Sequence, residues 1–186
     1  MNYIIIFISA FTLSVNAYSQ VNRGSSGSKA KKIVSVGIMA LNSSTTQGGA
    51  GPSGSSILTR SEFIWAYERV GFGAMFDYDL HGSNEKDSAY GIKLETYLSK
   101  FYLELGYLIS AKRAYTDRAI AEETGSGFVF GLGARFSLSR SGGNGPFFHA
   151  SYKVKSQTLT KQDGVELSEP IKQQDGYPVF GFGFTF

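Results

Sequence analysis

Charged side chains recur at every second position of several aromatic-rich segments, and they are the groups best placed to do chemistry. Because they alternate with Phe, Tyr, Leu or Val, they lie on the opposite face of each predicted strand from the apolar residues. Acids and bases are balanced on that face, and an unpaired buried charge is costly, so we expect ion pairs. A gated narrow pore through the same charges is the alternative interpretation. The charged positions are Glu62, Asp77, Lys93, Glu95, Glu104, Arg135, Lys153 and Lys155.

Nucleophilic catalysis has little support, because a catalytic hydroxyl needs a base such as His and a carboxylate that orients it. The chain has only two histidines. His149-Ala150-Ser151 resembles the His-x-Ser motif of the lipid A 3-O-deacylase barrels, but Tyr152 stands where that family prefers Asn. His149 is also expected to face inward, away from outer-leaflet lipid. The second histidine, His81, falls in a predicted loop. We predict no catalytic residues, and lipid A modification is the third interpretation.

Cofactor, metal and nucleic-acid functions are also not indicated. The chain has no cysteine, so it offers neither a disulfide framework nor a thiolate metal site. No His, Asp or Glu spacing suggests a metal site. The glycine-rich residues 48–51 lack the strand-to-helix context of a phosphate loop. A net charge of +3 is too small to indicate a nucleic-acid partner. We therefore expect no cofactor and no metal.

The segments that carry these charges are predicted to be strands. The aromatic and glycine content, with a period of two, predicts an all-β chain. Residues 111–123 could alternatively form a short helix. The sixth segment offers about 11 residues at about 3.3 Å each, so a strand tilted by about 40° would span about 28 Å along the barrel axis. The eight predicted strands are residues 33–41, 58–67, 70–80, 89–98, 101–109, 127–138, 147–156 and 177–186.

The connections between these strands alternate in length, which is typical of an up-and-down barrel with a turn side and a loop side. The fold class is therefore predicted as an eight-stranded antiparallel up-and-down transmembrane β-barrel. Short connections are predicted at residues 68–69, 99–100 and 139–146. Long connections are predicted at residues 42–57, 81–88, 110–126 and 157–176.

The distribution of charge predicts a membrane environment. A soluble ligand-carrying barrel is apolar inside and polar outside, whereas this pattern is reversed. No apolar run reaches the length of a spanning helix, so insertion would have to occur as a barrel. We predict a secretory signal peptide over residues 1–19, a flexible basic tail over residues 20–32 and a barrel domain over residues 33–186.

The C-terminal segment Y-P-V-F-G-F-G-F-T-F places Val179, Gly181, Phe184 and Phe186 at the spacing of a terminal assembly signal. With this ending, residues 33–186 resemble the small bacterial outer-membrane barrels of the OmpA transmembrane-domain, OmpX and OmpW type. The resemblance implies insertion by the barrel assembly machinery and contact with outer-membrane lipid and lipopolysaccharide. We also expect an unidentified extracellular partner and a monomer.

The function expected from this resemblance is that of a non-enzymatic integral outer-membrane protein. It would serve envelope structure, adhesion or surface interaction through its extracellular loops. A narrow channel or uptake route for small or apolar solutes is the alternative. The expected location is the bacterial outer membrane after cleavage of the signal peptide.

Overall fold

The regular structure of the chain is β-strand throughout the residues that the computed structural model describes, 30–41, 44–47, 56–81, 85–116, 119, 122–139 and 144–186. These residues contain no helix that is long and apolar enough to cross a membrane. The predicted signal peptide 1–19, most of the tail 20–32 and the glycine-rich residues 48–51 lie outside the described residues. The strands are β1 (Lys31–Leu41), β2 (Ser44–Gln47), β3 (Ser56–Tyr67), β4 (Val70–His81), β5 (Glu85–Leu98), β6 (Phe101–Tyr115), β7 (Glu122–Ser137), β8 (Gly145–Gln162) and β9 (Val165–Thr185).

Antiparallel pairing joins these strands into a closed ring. The ring closes where residues 33–38 of β1 pair with residues 180–185 of β9. Strand β2 continues beyond β1 along the same edge of β9, with Ser44 opposite Asp175. Strands β1 and β2 both pair with β9, one after the other, and together take one position in the ring. Each such position is called a wall here, so the nine strands form an eight-stranded barrel with eight walls. The predicted all-β, eight-stranded antiparallel barrel is therefore confirmed.

The outer surface of the ring carries an apolar belt. In β7, Phe128 is 59% exposed and Leu132 is 54% exposed, while Val129 between them is fully buried. Strand β4 has 12 residues, which at about 3.3 Å each and a tilt of about 40° rise about 30 Å. That length spans the apolar band of a membrane barrel. The belt includes Val36, Ile38, Phe63, Trp65, Phe72, Phe76, Tyr90, Ile92, Phe101, Leu105, Tyr152, Phe180, Phe182 and Phe184.

The prediction of a long connection at residues 157–176 is wrong. Strand β8 continues to Gln162 and β9 begins at Val165, so only Asp163 and Gly164 form the turn. Their φ angles are 48° and 82°. Two consecutive left-handed residues make a tight hairpin turn that matches the twist of the flanking strands, and Asp-Gly is a favoured pair there. The turn chemistry therefore extends both strands beyond the belt.

Three other predicted connections are also shorter than expected. In the predicted connection 42–57, residues 44–47 and 56–57 are strand. Residues 85–88 and 111–115 are strand, and Glu85 lies opposite Tyr115 in the β5–β6 ladder. The short helix considered for residues 111–123 is therefore not formed at residues 111–115 or 122–123. Pairing with the neighbouring strands outweighs the local helical preference of the alanines, because propensity is a weak effect beside tertiary hydrogen bonding.

Candidate functional site in the barrel lumen

The lumen holds a network of paired charges, here called the central network, formed by Arg60, Glu62, Asp77, Lys93, Glu95, Glu104, Arg135 and Lys153. These residues come from strands β3 to β8 and, apart from Arg135, are almost wholly buried. Four of them are acids and four are bases, so the network is neutral overall. Alternation of side chains along each strand brings all of them to the inner face.

Glu104 lies where three cations of the central network meet. Its carboxylate oxygens are 3.0 Å from Arg60 Nη1, 2.7 Å from Lys93 Nζ and 2.6 Å from Lys153 Nζ. Lys153 also lies 2.8 Å from Glu62, which accepts a hydrogen bond from Ser35. Each of these charges has at least two partners of opposite sign, which offsets the cost of removing it from water.

Three carboxylates of the central network, those of Glu62, Glu95 and Glu104, offer oxygens that lie within 4.8 Å of one another. Such a group has the donor chemistry of a site for a hard cation. The Lys93 ammonium already lies 2.7–2.9 Å from all three carboxylates. Lys93 therefore supplies the positive charge that a bound cation would supply.

Arg135 closes the network toward the short turns. Its guanidinium makes two contacts with Glu95, at 2.7 and 2.8 Å. The same group lies 4.4 Å from the ring centroid of Tyr102 and 5.4 Å from that of Tyr97. A paired, stacked guanidinium of this kind is held in one orientation. The ring of Tyr102 lies against Gly133, where an added Cβ would be only 2.5 Å from Cζ.

Two lumen charges depart from the set of charged residues that the sequence predicts. Arg60, on the inner face of β3, was not included, yet it pairs with Asp77 through two contacts of 2.5 Å. Lys155, which was included, lies apart from the central network, 3.9 Å from Asp175. Asp175 belongs to the segment that was predicted as a connection, so this partner could not be anticipated.

A second charged group lies toward the loops and is here called the mouth cluster: Glu85, Asp87, Arg113, Tyr115 and Glu123. Arg113 Nε is 3.0 Å from Glu85 and 3.1 Å from Asp87. Tyr115 donates a hydrogen bond of 3.0 Å to Glu123. Burial raises the pKa of the Tyr115 phenol to about 12, so it stays protonated as a donor at neutral pH.

A β-bulge in β6 turns Arg113 into the lumen. Leu108 lies opposite Gly127 and Ala111 lies opposite Gly125, so one residue of β7 faces two residues of β6. The extra residue shifts the alternation by one, and Arg113 changes from the outer to the inner face. Strict alternation from the start of β6 would have placed Arg113 against lipid, so the mouth cluster was not predicted.

Apolar side chains lie on both sides of the central network. Toward the short turns, Ile33, Ile64, Ala66 and Phe147 pack together with Tyr97. Toward the loops, the inward residues of β5 to β9 form a second packed cluster with Met75. The second cluster lies partly beside the charges, since Met75 is opposite Glu62 and Ala89 is opposite Asp77 in the ladders. The second cluster consists of Ala89, Leu108, Ala111, Val129, Leu159 and Ile171.

The His149-Ala150-Ser151 motif faces this packed interior. His149 is 2% exposed and Ser151 is 8% exposed. Among the described residues, neither nitrogen of the His149 imidazole has a hydrogen-bond partner, and the Ser151 hydroxyl has none either. The pair that a nucleophile and its base would form is therefore not assembled. Both groups also face away from the lipid-facing surface on which a lipid substrate would arrive.

The four positions of the C-terminal signal divide between the two faces of β9. Val179 is fully buried, and Gly181 faces the lumen where an added Cβ would lie 2.3 Å from His149 Nε2. Phe184 and Phe186 face outward, with ring centroids 6.2 Å apart. The structure thus shows where these residues lie, and their reading by an assembly machinery stays a prediction.

Comparison with solved structures identifies barrels of the same architecture. Neisserial surface protein A matches with a TM-score of 0.57 at 13% identity, over 85% of this chain and 99% of that one. The chain has the fold of the small outer-membrane β-barrels. The attachment invasion locus protein Ail of Yersinia pestis, in complex with the heparin analogue sucrose octasulfate, matches with a TM-score of 0.51 at 15% identity, over 85% and 99% of the two chains.

A third match is the outer membrane protein OprG of Pseudomonas aeruginosa, with a TM-score of 0.50 at 13% identity, over 86% of this chain and 97% of that one. No family model and no curated protein matches the sequence. At these identities the likeness shows the fold alone, so the function has to be argued from the side chains.

Proposed function

We propose that the chain is a non-enzymatic integral outer-membrane protein whose closed barrel presents a rigid extracellular hairpin for surface interaction. The observation that carries this proposal is the reversed polarity of the barrel. Phe128 and Trp65 face outward and are more than half exposed, while Lys93, Lys153 and Glu104 are almost wholly buried inside. Such an arrangement is favourable only where hydrocarbon surrounds the outer face.

The lumen supports a structural role over a conducting one. The central network is neutral, and every charge in it has a close partner of opposite sign. The interior of an eight-stranded barrel is only wide enough for its own side chains. Apolar residues lie on both sides of the network, so ions would have to cross packed side chains. A narrow channel therefore requires a rearrangement that the structure does not favour.

The hairpin formed by the ends of β8 and β9 is the surface best suited to contact a partner. These are the longest strands of the barrel, with 18 and 21 residues. The regular run of outward apolar residues ends at Val154 on β8 and Pro178 on β9. Beyond it the exposed residues are mostly polar or small, apart from Pro170 and Val165, which is 71% exposed. The hairpin therefore rises above the lipid as a paired sheet, which loses little conformational entropy when it binds. The outward residues are Ser156, Thr158 and Thr160 on β8, and Pro170, Lys172, Gln174 and Gly176 on β9.

The charge of this hairpin argues against a sulfated ligand of the kind bound in the Ail complex. The exposed charged residues of 157–176 are two lysines and three acids, because the fourth acid, Asp175, is buried beside Lys155. A polyanion would meet net repulsion there, whereas a neutral or basic partner would not. We therefore place surface interaction with a neutral or basic partner ahead of glycosaminoglycan binding.

The orientation can be tested by cysteine labelling in intact cells, because the natural chain has no cysteine. Thr160→Cys lies at the hairpin and Asn144→Cys at the short-turn end, and both residues are exposed. A membrane-impermeant maleimide should label the hairpin variant in intact cells and label the Asn144 variant only after lysis. Labelling of Asn144→Cys in intact cells without labelling of the hairpin would contradict the proposal.

The roles of channel and enzyme are tested separately. Planar-bilayer recordings of the purified barrel should show no stable openings, and regular conductance steps would favour the channel. Mass spectra of lipid A from cells with and without the protein should be identical. A modified lipid A species that disappears with His149→Ala would overturn the non-enzymatic assignment.

A further inference from the structure

The short-turn end of the barrel is basic, whereas the hairpin at the other end is acidic. Among the described residues outside the central network, the side chains of the short-turn end include the bases Lys31, Lys32, Arg69 and Lys100 and one acid, Glu68. Three of the four bases are exposed and Arg69 is half-buried. This end therefore presents a positive rim directly below the apolar belt.

Lys100 is held at the edge of the belt by two outward rings. Its ammonium lies 5.6 Å from the ring centroids of both Phe101 and Phe136. Those rings are 51% and 42% exposed on the lipid-facing side. A cation over aromatic faces stays beside the apolar surface while its remaining hydrogens point away from it. Lys100 thus lies at the level where hydrocarbon gives way to headgroups.

Lys32 occupies an equivalent position on the other side of the barrel. It is exposed, and its backbone exchanges hydrogen bonds of 2.8 and 3.0 Å with Phe186. On its other side it lies opposite Trp65 in the β1–β3 ladder. Residues directly opposite in an antiparallel pair share a face, so Lys32 stands between two outward rings. In the ring order, β3 and β4 lie between β1 and β5, and Lys100 follows β5, so the two lysines lie on different walls.

Taking the proposed outer-membrane orientation as given, we propose that Lys32 and Lys100 bind anionic phospholipid headgroups of the periplasmic leaflet. Each patch offers an ammonium to phosphate oxygens and aromatic rings to the glycerol and upper acyl chain. Two such contacts on different walls fix the depth of the barrel and resist tilting. The outward Lys112 near the loop end differs, because it is already paired with Glu122.

Trp65 reports directly on the Lys32 patch, because it is the only tryptophan of the chain. The full barrel would be reconstituted in two kinds of bilayer, both containing phosphatidylcholine and phosphatidylglycerol. In one only the phosphatidylglycerol is brominated, and in the other only the phosphatidylcholine is. Quenching of Trp65 fluorescence would be measured in both. We expect phosphatidylglycerol to be preferred at Trp65 by about fivefold, the effect of one lysine near an anionic headgroup. Lys32→Gln should reduce the preference to about one, whereas the distant Lys172→Gln should leave it unchanged.

The outcomes separate this inference from the proposed function. Equal quenching by both lipids in the wild-type barrel, or the same preference in Lys32→Gln, would overturn the headgroup site and leave the membrane barrel intact. If no brominated lipid quenches Trp65, the outer wall does not contact lipid and the proposed function also fails. A Trp65→Phe, Phe136→Trp variant applies the same measurement to Lys100, whose replacement by Gln should abolish the preference there.

Discussion

At the scale of single residues, Glu104 holds the lumen together. Arg60, Lys93 and Lys153 all contact its carboxylate within 3.0 Å. Removing one member of a buried ion network leaves the remaining charges without compensation, which is far more costly than removing an exposed pair. The stability of this barrel therefore depends on a few inward residues.

We expect Glu104→Gln to destabilise the folded barrel by about 3–5 kcal/mol, because three buried cations lose a shared counter-charge. Urea unfolding in detergent micelles, followed by tryptophan fluorescence, measures the change. Glu122→Gln is the matched control, since it breaks an exposed pair with Lys112 that is worth at most about 1 kcal/mol. Equal stability of the two variants would show that the central network is not the main support of the lumen.

Two inward glycines of β7 should respond differently to the same substitution. An added Cβ at Gly133 would lie 2.5 Å from Tyr102 Cζ, whereas at Gly131 the nearest atom is Lys153 Cγ at 3.2 Å. Gly133→Ala should therefore displace Tyr102 from Arg135 and cost about 1–3 kcal/mol. Gly131→Ala should cost less, because the lysine stem can move. The same unfolding measurement distinguishes them, and a larger loss for Gly131→Ala would contradict the packing described.

Alternation along the sequence was sufficient to assign most lumen residues to the inner face. It was sufficient for Glu62, Lys93 and Glu104 because their strands are regular there. It could not predict the inward position of Arg113, since a bulge in β6 reverses the alternation and no local residue type marks that bulge. It also missed the pairing of Lys155 with Asp175, because register with a strand that was taken as a connection cannot be inferred.

At the scale of elements, the β8–β9 hairpin shows how turn chemistry decides the length of a strand. The segment around it is polar, which by itself favours a loop. The Asp163-Gly164 pair adopts two left-handed conformations and lets both strands continue to the turn. The apolar pattern predicted the membrane part of both strands, but it stops at the end of the belt, where the regular outward apolar residues end.

Gly164→Ala should loosen the hairpin while leaving the barrel intact. Gly164 has a φ of 82° and no atom within 4 Å of an added Cβ, so the cost arises from the backbone alone. That cost is about 1 kcal/mol for a residue with a Cβ. Amide hydrogen exchange should become faster at residues 157–171 and remain unchanged in the belt strands. Faster exchange across the whole barrel would contradict the independence of the hairpin.

Phe186, directly after β9, offers two features that can be tested separately. Phe186 exchanges backbone hydrogen bonds with Lys32, and its ring faces outward. Phe186→Ala keeps the backbone bonds and removes the ring, whereas deletion of Phe186 removes both. If the ring is part of an assembly signal, both variants should lower the yield of folded barrel in cells, while Phe186→Ala should refold normally in detergent. A normal cellular yield of both variants would contradict the signal.

At the scale of the whole molecule, the polarity of the barrel is the reverse of that of a soluble protein. Neutralised charges fill the interior, and the apolar belt covers the exterior. Length, alternation and the spacing of turns predicted this arrangement because a membrane imposes it on every strand at once. The partner that we propose for the hairpin is not encoded in such a pattern, since any polar surface satisfies it.

The most direct test is whether the folded state requires an amphiphile. The chain without residues 1–19 would be purified in denaturant and diluted either into detergent micelles or into plain buffer. Size-exclusion chromatography, circular dichroism and heat-modifiable gel migration would then be compared. We expect a monodisperse, β-rich, heat-modifiable species in detergent only, because the belt cannot be covered in water. A folded, monodisperse protein in plain buffer would contradict the membrane barrel.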